Sequence, residues 1–381
     1  MALVLVIDGL TAPGDAPWAR WLPNLQRLAQ VGKQGTLALP QGRFLPESLV
    51  PWMERLGIGY GEQPPSTAWF SAYHGRAAEP GPGSWCHLGF THLFRKQDDL
   101  RFVSPSRTGQ SREEIQQIGH LLTSFLAHEG WSVCYQDQEG LVIHTESPWQ
   151  SRSLSMRVVE GASAGEIMPT GDDGKRLQNF SMALQLALAR NPVNEARKAA
   201  NRLPLNTPWF WGMGGAPDAA AAQRWQGAWL LSSDVAVLGM GKWCGWQTKA
   251  LPEDESNWRW DRDVEPYLKL ARGEDVVMHL QGPAIYARHG MDEDRKRLMA
   301  LWDRTHFVAL ERALAAAKVD LVVVEGFPLE EQGIGTVSTA SRWFYAPAGR
   351  LLRPIRLWKR WFNGGGKQVS LPWSKLYQEW R

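Results

Sequence analysis

The sequence has few cysteines and no long apolar run. Its three cysteines, Cys86, Cys134 and Cys244, form no Cys-x-x-Cys pair, which excludes a disulfide framework and favours a reducing compartment. No run of about 18 apolar residues occurs, so we expect no transmembrane helix. The first residues, MALVLVIDGL, lack a basic segment and contain Asp8, unlike a signal peptide. We therefore expect a soluble chain in the cytoplasm.

Common catalytic motifs are also missing. The sequence contains no G-x-S-x-G elbow, no P-loop and no H-E-x-x-H helix, each of which would have indicated a specific hydrolase or nucleotide site. The Gly-rich GMGKWCG lacks the G-x-G-x-x-G spacing of a dinucleotide site. His87 and His92 lie near Cys86 without a fourth donor, so we interpret them as core or loop residues.

Tryptophan is abundant, with 21 residues among 381, and positive charge is concentrated near the end of the sequence. From Arg350 onward there are eight basic residues and one acid, a net charge of +7; because the whole chain carries +3, the rest carries −4. A net negative body disfavours nucleic-acid binding by the body itself. The basic segment interleaves cations with indole rings, and its predicted contact residues are Arg356, Trp358, Lys359, Arg360 and Trp361. Such an arm suits a protein partner or an anionic surface; the alternative is an arm that packs its tryptophans on its own body.

The apolar pattern predicts an α/β fold. LVLVID is a continuous apolar run ending in an acid, typical of a buried parallel strand, and PNLQRLAQVG has the spacing of a helix. Near the other end, residues 275–280 and the segment VDLVVVEGF read as strands on either side of a long helix over 292–318. We expect both ends of this region to contribute to one sheet flanked by helices.

The pattern changes between these ends. Ser111 and Glu114 have the spacing of a capping box before an amphipathic helix, and WSVCYQD and GLVIHTE alternate like the strands of a hairpin. We therefore predict a core formed by residues 1–104 and 201–349, an inserted α+β domain over 105–200, and a C-terminal arm over 350–381.

The string ARNPVNEARKAANRLPLNTPWFWGMGG resembles a segment of archaeal-type, cofactor-independent phosphoglycerate mutases. The matching positions are Asn194, Arg197, Asn206, Trp211, Gly212 and Gly214. VIDGL, LPNLQRLAQVGKQG and two later segments extend the likeness, in the same order, over residues 1 to about 348. The resemblance implies an alkaline-phosphatase-like core, and RLQNFSMALQLALARNPVN is also similar to divergent bacterial proteins described as RpfE-type regulators.

In the alkaline phosphatase superfamily, which the chain resembles, two divalent metals held by Asp and His flank a Ser or Thr that is transiently phosphorylated. The cations stabilise the nucleophile and the developing phosphate charge. Asp8 matches the first metal ligand. Ser48 falls where the nucleophile belongs, although Glu47 replaces the usual glycine. The alternative for Ser48 is the N-cap of a helix.

The later ligand positions depart from the family. Ala284 occupies the place of a metal Asp, His289 is shifted by one residue, and Glu325 is followed by Gly and Phe where an Asp-His pair belongs. The remaining donors, His279, His289 and Glu325 with Asp8, suggest at most a rearranged site. The alternative is a helix cap with solvated charges.

These residues support two predictions. The first is a phosphoglycerate-mutase-like protein with an incomplete metal-ligand set, acting as a non-catalytic binding or regulatory protein with no cofactor. The second is a phosphotransferase or phosphohydrolase dependent on Mn or Zn, using Asp8, Ser48, His279 and His289. In either, Asn194 and Arg197 are predicted ligand-binding residues, because a guanidinium holds a carboxylate or phosphate with two bonds; the alternative is a structural hinge.

Overall fold

The structure is a computed structural model. The residues it describes are 2–11, 22–31, 33–38, 52–53, 56, 58, 65–75, 81–96, 99–103, 105–137, 139–154, 156, 164–218, 228–252, 255–271, 274–288, 291–316, 321–328 and 340–347. The predicted nucleophile Ser48, His289 and all five predicted arm contacts lie outside these residues.

The described elements are a mixture of strands and helices. The strands are β1 (Ala2–Thr11), β2 (Lys33–Ala38), β3 (Ser84–Lys96), β4 (Asp99–Val103), β5 (Ser132–Gln136), β6 (Gly140–Thr145), β7 (Ser151–Arg152), β8 (Thr170–Gly171), β9 (Thr207–Gly215), β10 (Trp229–Ser232), β11 (Gln247–Ala250), β12 (Val276–Leu280), β13 (Leu321–Pro328) and β14 (Ala340–Pro347). The helices are α1 (Pro23–Val31), α2 (Thr67–His74), α3 (Pro105–Thr108), α4 (Arg112–His128), α5 (Ala164–Ile167), α6 (Gly174–Ala189), α7 (Pro192–Ala199), α8 (Val235–Trp243), α9 (Trp260–Asp263), α10 (Glu265–Leu270), α11 (Gly282–Arg288), α12 (Asp292–Trp302) and α13 (Val308–Ala315). A 3-10 turn spans Glu255–Asn257 and a π-helical turn spans Asp303–Phe307.

A seven-stranded sheet forms the core, in the order β11-β10-β12-β1-β13-β14-β2. Its first five strands are parallel, whereas β14 is antiparallel to both of its neighbours. β1 lies between β12 and β13, so the strand near the start of the sequence and the two late apolar strands share one sheet. This confirms the α/β fold expected from the apolar runs.

Both faces of the core sheet are covered, which explains why its central strands are almost continuously apolar. One face packs Val4, Val6 and Val277 with residues of α2 and α8. The other packs Leu5, Met278 and their neighbours against α12 and α13. Because successive side chains in a strand alternate between faces, Asp8 and His279 continue the first face.

The second sheet is antiparallel and contains β4, β3, β6 and β5, with β9 paired to β3. The predicted hairpin is present as β5 and β6, and the predicted capping box of Ser111 and Glu114 opens α4. Helices α4 and α6 share one apolar cluster with this sheet. The division of the chain into core, inserted domain and arm stays a prediction.

The long helix expected over 292–318 is interrupted by the π-helical turn at Asp303–Phe307. Asp303 accepts hydrogen bonds from the backbone N–H groups of Asn24 and Leu25, at 3.0 Å each to Oδ1. It thereby pairs N–H groups of the first turn of α1, which have no partner within that helix. In the part of the chain that the structure describes, no helix has the length and apolar character needed to cross a bilayer.

Candidate functional site

The polar residues Asp8, Ser232 and His279 meet at the carboxyl ends of three neighbouring parallel strands. β12 lies between β10 and β1, and Val6 is paired in register with His279. Ser232 is the last residue of β10, whose preceding residue, Leu231, is paired with Met278. Open α/β sheets bind ligands at this edge, so the strand order creates the site.

A hydrogen-bonded chain joins the three side chains. His279 Nε2 lies 3.0 Å from Asp8 Oδ2, and Nδ1 lies 2.9 Å from Ser232 Oγ. Ser232 Oγ also accepts the backbone N–H of Asp234 at 2.9 Å. Trp52 packs its ring edge against the imidazole at 4.9 Å between ring centroids. Both ring nitrogens of His279 are therefore engaged by protein groups.

His279 is fully buried, yet its pKa is raised above the ordinary value. Burial is the largest single influence and lowers this pKa, but the charge and hydrogen bond of Asp8, together with the charges of Asp234 and Glu255, raise it by more. The surrounding carboxylates thus favour the imidazolium form.

Asp8 has one side-chain oxygen without a hydrogen-bond partner among the described residues. Its Oδ1 is buried and makes no hydrogen bond with any described residue, whereas buried polar atoms normally have a partner. Oδ1 is therefore a buried acceptor without a donor among the described residues.

The donors among the described residues do not complete a two-metal centre. His279 uses both nitrogens, and the expected Asp position holds the buried Ala284 on α11. Within the described ranges, no three His, Cys, Asp or Glu side chains are grouped so that they could hold an ion. Glu325 lies on β13 opposite Val6, but its side chain is outside the described part.

Glu255 lies close to this edge and was not identified by sequence reasoning. Its carboxylate accepts the backbone N–H groups of Gln281 and Gly282, both at 2.8 Å, at the start of α11. Burial raises the pKa of Glu255 to about 7, against the opposing effects of these two hydrogen bonds and of His279. Glu255 is thus a buried acid that titrates near neutrality.

Sequence reasoning also missed Ser232 and Asp234, which follow the apolar end of a strand. Asp234 is the N-cap of α8 and accepts the N–H groups of Ala236 and Val237. A serine at the end of a buried strand and an acid two residues later were the available signal. Glu255 lies between strands, where its sequence neighbours gave no comparable signal.

Asn194 and Arg197 lie in α7. Their hydrogen bonds among the described residues do not involve Asp8, Ser232 or His279. Asn194 donates to the carbonyls of Leu188 and Leu205 and accepts the N–H of Leu205. Arg197, 1% exposed, donates to Glu114 Oε2 at 2.6 Å and to the carbonyls of Leu203 and Thr108. These contacts favour the structural-hinge interpretation, and their ligand-binding role stays a prediction.

Comparison with known proteins gives two kinds of likeness. No family model matches the chain. A segment of 104 residues is 30% identical to a probable 2,3-bisphosphoglycerate-independent phosphoglycerate mutase from Geobacter sulfurreducens, covering 26% of each protein. The chain thus matches about a quarter of the length of that curated relative.

Among solved structures, the PH0037 protein from Pyrococcus horikoshii has a TM-score of 0.58 at 15% identity, with 91% of this chain and 87% of that chain covered. The cofactor-independent phosphoglycerate mutase from Thermoplasma acidophilum DSM 1728 has a TM-score of 0.42 at 16% identity, with 92% and 90% covered; no conclusion rests on this weaker likeness. PH0037 shares the fold, and the sequence match supports a phosphoglycerate-mutase-like fold. Fold alone does not assign activity.

Proposed function

We propose that this chain is a phosphoglycerate-mutase-like protein that acts by binding, in a regulatory role, rather than by two-metal phosphoryl transfer. The proposal is supported chiefly by the Asp8–His279–Ser232 chain, in which both imidazole nitrogens have protein partners. A histidine ligand needs a free ring nitrogen for the metal. Ala284 at the expected Asp position is a second reason for the same conclusion.

The alternative is a metal-dependent phosphotransferase or phosphohydrolase with a rearranged site. The buried Oδ1 of Asp8, which lacks a hydrogen-bond partner among the described residues, is the observation that favours it. In this alternative Asp8, His279 and His289 would hold Mn or Zn beside Ser48. The metal would supply charge stabilisation for phosphate, and Asp8 would provide an anionic oxygen as a ligand.

Metal content and turnover separate the two functions. The protein is purified without chelators, its metal is measured, and phosphomonoesterase and phosphoglycerate mutase activities are assayed with added Mn or Zn. Ser48→Ala and Asp8→Asn are compared with Glu195→Gln, which changes an exposed acid of α7. We expect substoichiometric metal and no turnover above background in any of the four proteins.

Binding without turnover is measured on the same proteins. We expect 3-phosphoglycerate or another phosphorylated carboxylate to raise the melting temperature of the wild type, and Asp8→Asn to change that shift. Stoichiometric metal that is lost in Asp8→Asn, together with turnover that is lost in Ser48→Ala, would establish the enzyme alternative instead.

A further inference from the structure

The start of helix α2 is held against the end of strand β9. Ser66, the N-cap of α2, donates its backbone N–H to the carbonyl of Gly215 at 2.9 Å. Its hydroxyl donates to the carbonyl of Gly212 at 2.6 Å and accepts the N–H of Trp69 at 3.3 Å. Thr67, the first residue of the helix, is therefore fixed beside Gly212 and is 1% exposed.

The backbone of β9 is irregular where Thr67 meets it. Gly212 has a φ of +65°, a left-handed conformation that favours glycine, and the pairing of β9 with β3 shifts beside it, between Trp85 and His87. Irregularities of this kind re-aim side chains. A Cβ atom at Gly212 would collide with the Thr67 hydroxyl and lie 3.1 Å from His87 Cδ2. Thr67 and His87 therefore approach Gly212 from the same side.

Two hydrogen-bond donors beside Gly212 have no hydrogen-bond partner among the described residues. They are the Thr67 hydroxyl and the indole N–H of Trp211, the residue before Gly212. Trp211 is 7% exposed, and its ring stacks on that of His87 at 3.9 Å between centroids. Because buried polar groups normally have a partner, both donors call for an acceptor that the described part of the chain does not supply.

These donors lie at the same end of the molecule as the carboxyl edge of the core sheet. Helices α2 and α8 run in the same direction, because Gly239 packs directly against the backbone of Phe70. Three residues further along, Lys242 bonds the carbonyl of Tyr73. The start of α2 is therefore level with the start of α8, which follows Ser232 at the end of β10.

We propose that Thr67, Trp211 and the first turn of α2 bind the oxyanion group of a small ligand, which a phosphate or a carboxylate can supply. An indole N–H only donates, so the acceptor it needs is an anion and not a cation. The start of a helix favours negative charge through its dipole and its N–H groups, and α2 has no acid of its own in its first turn. The site is separate from the Asp8–His279–Ser232 chain, and its occupancy does not depend on the function proposed above.

Nuclear magnetic resonance of tryptophan labelled with ¹⁵N tests the proposal on the full chain. The Trp211 indole resonance is the one missing from Trp211→Phe. We expect titration with inorganic phosphate or with acetate to shift this resonance to saturation, and the comparison of the two anions tells a phosphate site from a carboxylate site. Thr67→Val removes the hydroxyl and keeps the shape of the side chain. By calorimetry it should weaken binding of the anion about tenfold, the value of one hydrogen bond to a charged group.

Trp149→Phe is the matched control. The Trp149 indole N–H is also buried without a hydrogen-bond partner among the described residues, but its ring packs with Trp131 in the apolar cluster of α4 and α6. We expect this variant to keep the affinity of the wild type.

Loss of an unpartnered hydroxyl does not harm a fold, so Thr67→Val should melt no lower than the wild type without anion, measured by circular dichroism. A Trp211 resonance that responds to neither anion would overturn the proposal. So would equal affinities in the wild type, Thr67→Val and Trp149→Phe, which would place the bound anion elsewhere, such as on the basic arm.

Discussion

At the scale of single residues, two buried histidines of the core have opposite environments. His279 has a partner at each nitrogen and carboxylates around it, which raise its pKa. His306, in the π-helical turn, is 4% exposed, and neither of its nitrogens has a hydrogen-bond partner among the described residues. Burial lowers the pKa of His306 to about 4, although Asp263 acts in the opposite direction. His306 is therefore neutral in the folded protein near pH 7.

His306 should make the fold sensitive to acid. Its pKa is about 4 in the folded state and about 6.5 when unfolded, so the unfolded chain binds more protons between these values and stability falls as the pH decreases through that window. From pH 7 to pH 5 this group alone should lower the free energy of unfolding by about 2 kcal/mol. We expect His306→Leu to lose that component, measured by urea denaturation at both pH values.

The comparison isolates His306, because His279 titrates in the opposite sense and is present in both proteins. Because the pKa of His279 is raised in the folded state, this group stabilises the folded protein at low pH, and the stabilisation is lost as the pH rises. Equal pH dependence in the wild type and in His306→Leu would contradict the prediction.

At the scale of elements, the first turn of α4 is tied to α7 and to the loop that follows it. Glu114 caps α4 through the N–H of Ser111, and its oxygens also bind Arg197 at 2.6 Å and Arg202 at 2.9 Å. Arg197 is buried, so its guanidinium depends on this carboxylate for charge compensation. Glu114 therefore both caps the start of α4 and binds two arginines, Arg197 on α7 and Arg202 just after it.

Glu114→Gln should destabilise the protein more than its small change in shape suggests. Glutamine can still complete a capping box, but the buried Arg197 charge loses its partner, at a cost of about 3 kcal/mol. Chemical denaturation measures this loss. Glu195→Gln, which removes an exposed pair with Lys198, is the control and should change stability little; equal effects of the two variants would show that the Arg197 pair is not a major source of stability.

At the scale of the whole molecule, the basic arm is expected to associate with partners mainly through its charge. The arm lies outside the described residues, and its +7 charge and aromatic residues contrast with the net −4 of the rest. Lys and Arg near an anionic surface contribute about 1 kcal/mol each within a Debye length of about 8 Å at physiological salt. Association through the arm should therefore be sensitive to salt.

Deletion of residues 351–381 tests the arm. We expect an unchanged melting temperature and the loss of salt-sensitive binding to anionic vesicles or to a protein partner, measured by sedimentation and pull-down at low and high salt. A large fall in melting temperature with no binding at either salt would indicate that the arm packs on its own body, because removal would then uncover apolar surface at roughly 25 cal/mol per Å².

The sequence by itself determined three strands of the core, β1, β12 and β13, the capped start of α4 and the position of Asp8 after the apolar run of β1. These features depend on neighbours within a few residues: continuous apolar runs for buried strands, and Ser111 with Glu114 for the cap. The likeness to phosphoglycerate mutases followed from motifs that are likewise local. Such patterns can be recognised without knowing the order of the strands in the sheet.

Tertiary structure decided what those residues do. Asp8 and His279 are 271 positions apart, and Ser232 reaches the same imidazole because β12 lies between β10 and β1. Likewise, Arg197 and Glu114 are 83 positions apart, and the fold brings them together as an ion pair in which the arginine is buried. Strand order and helix packing bring distant side chains together, and no local pattern encodes that choice, because it depends on the burial of the whole core.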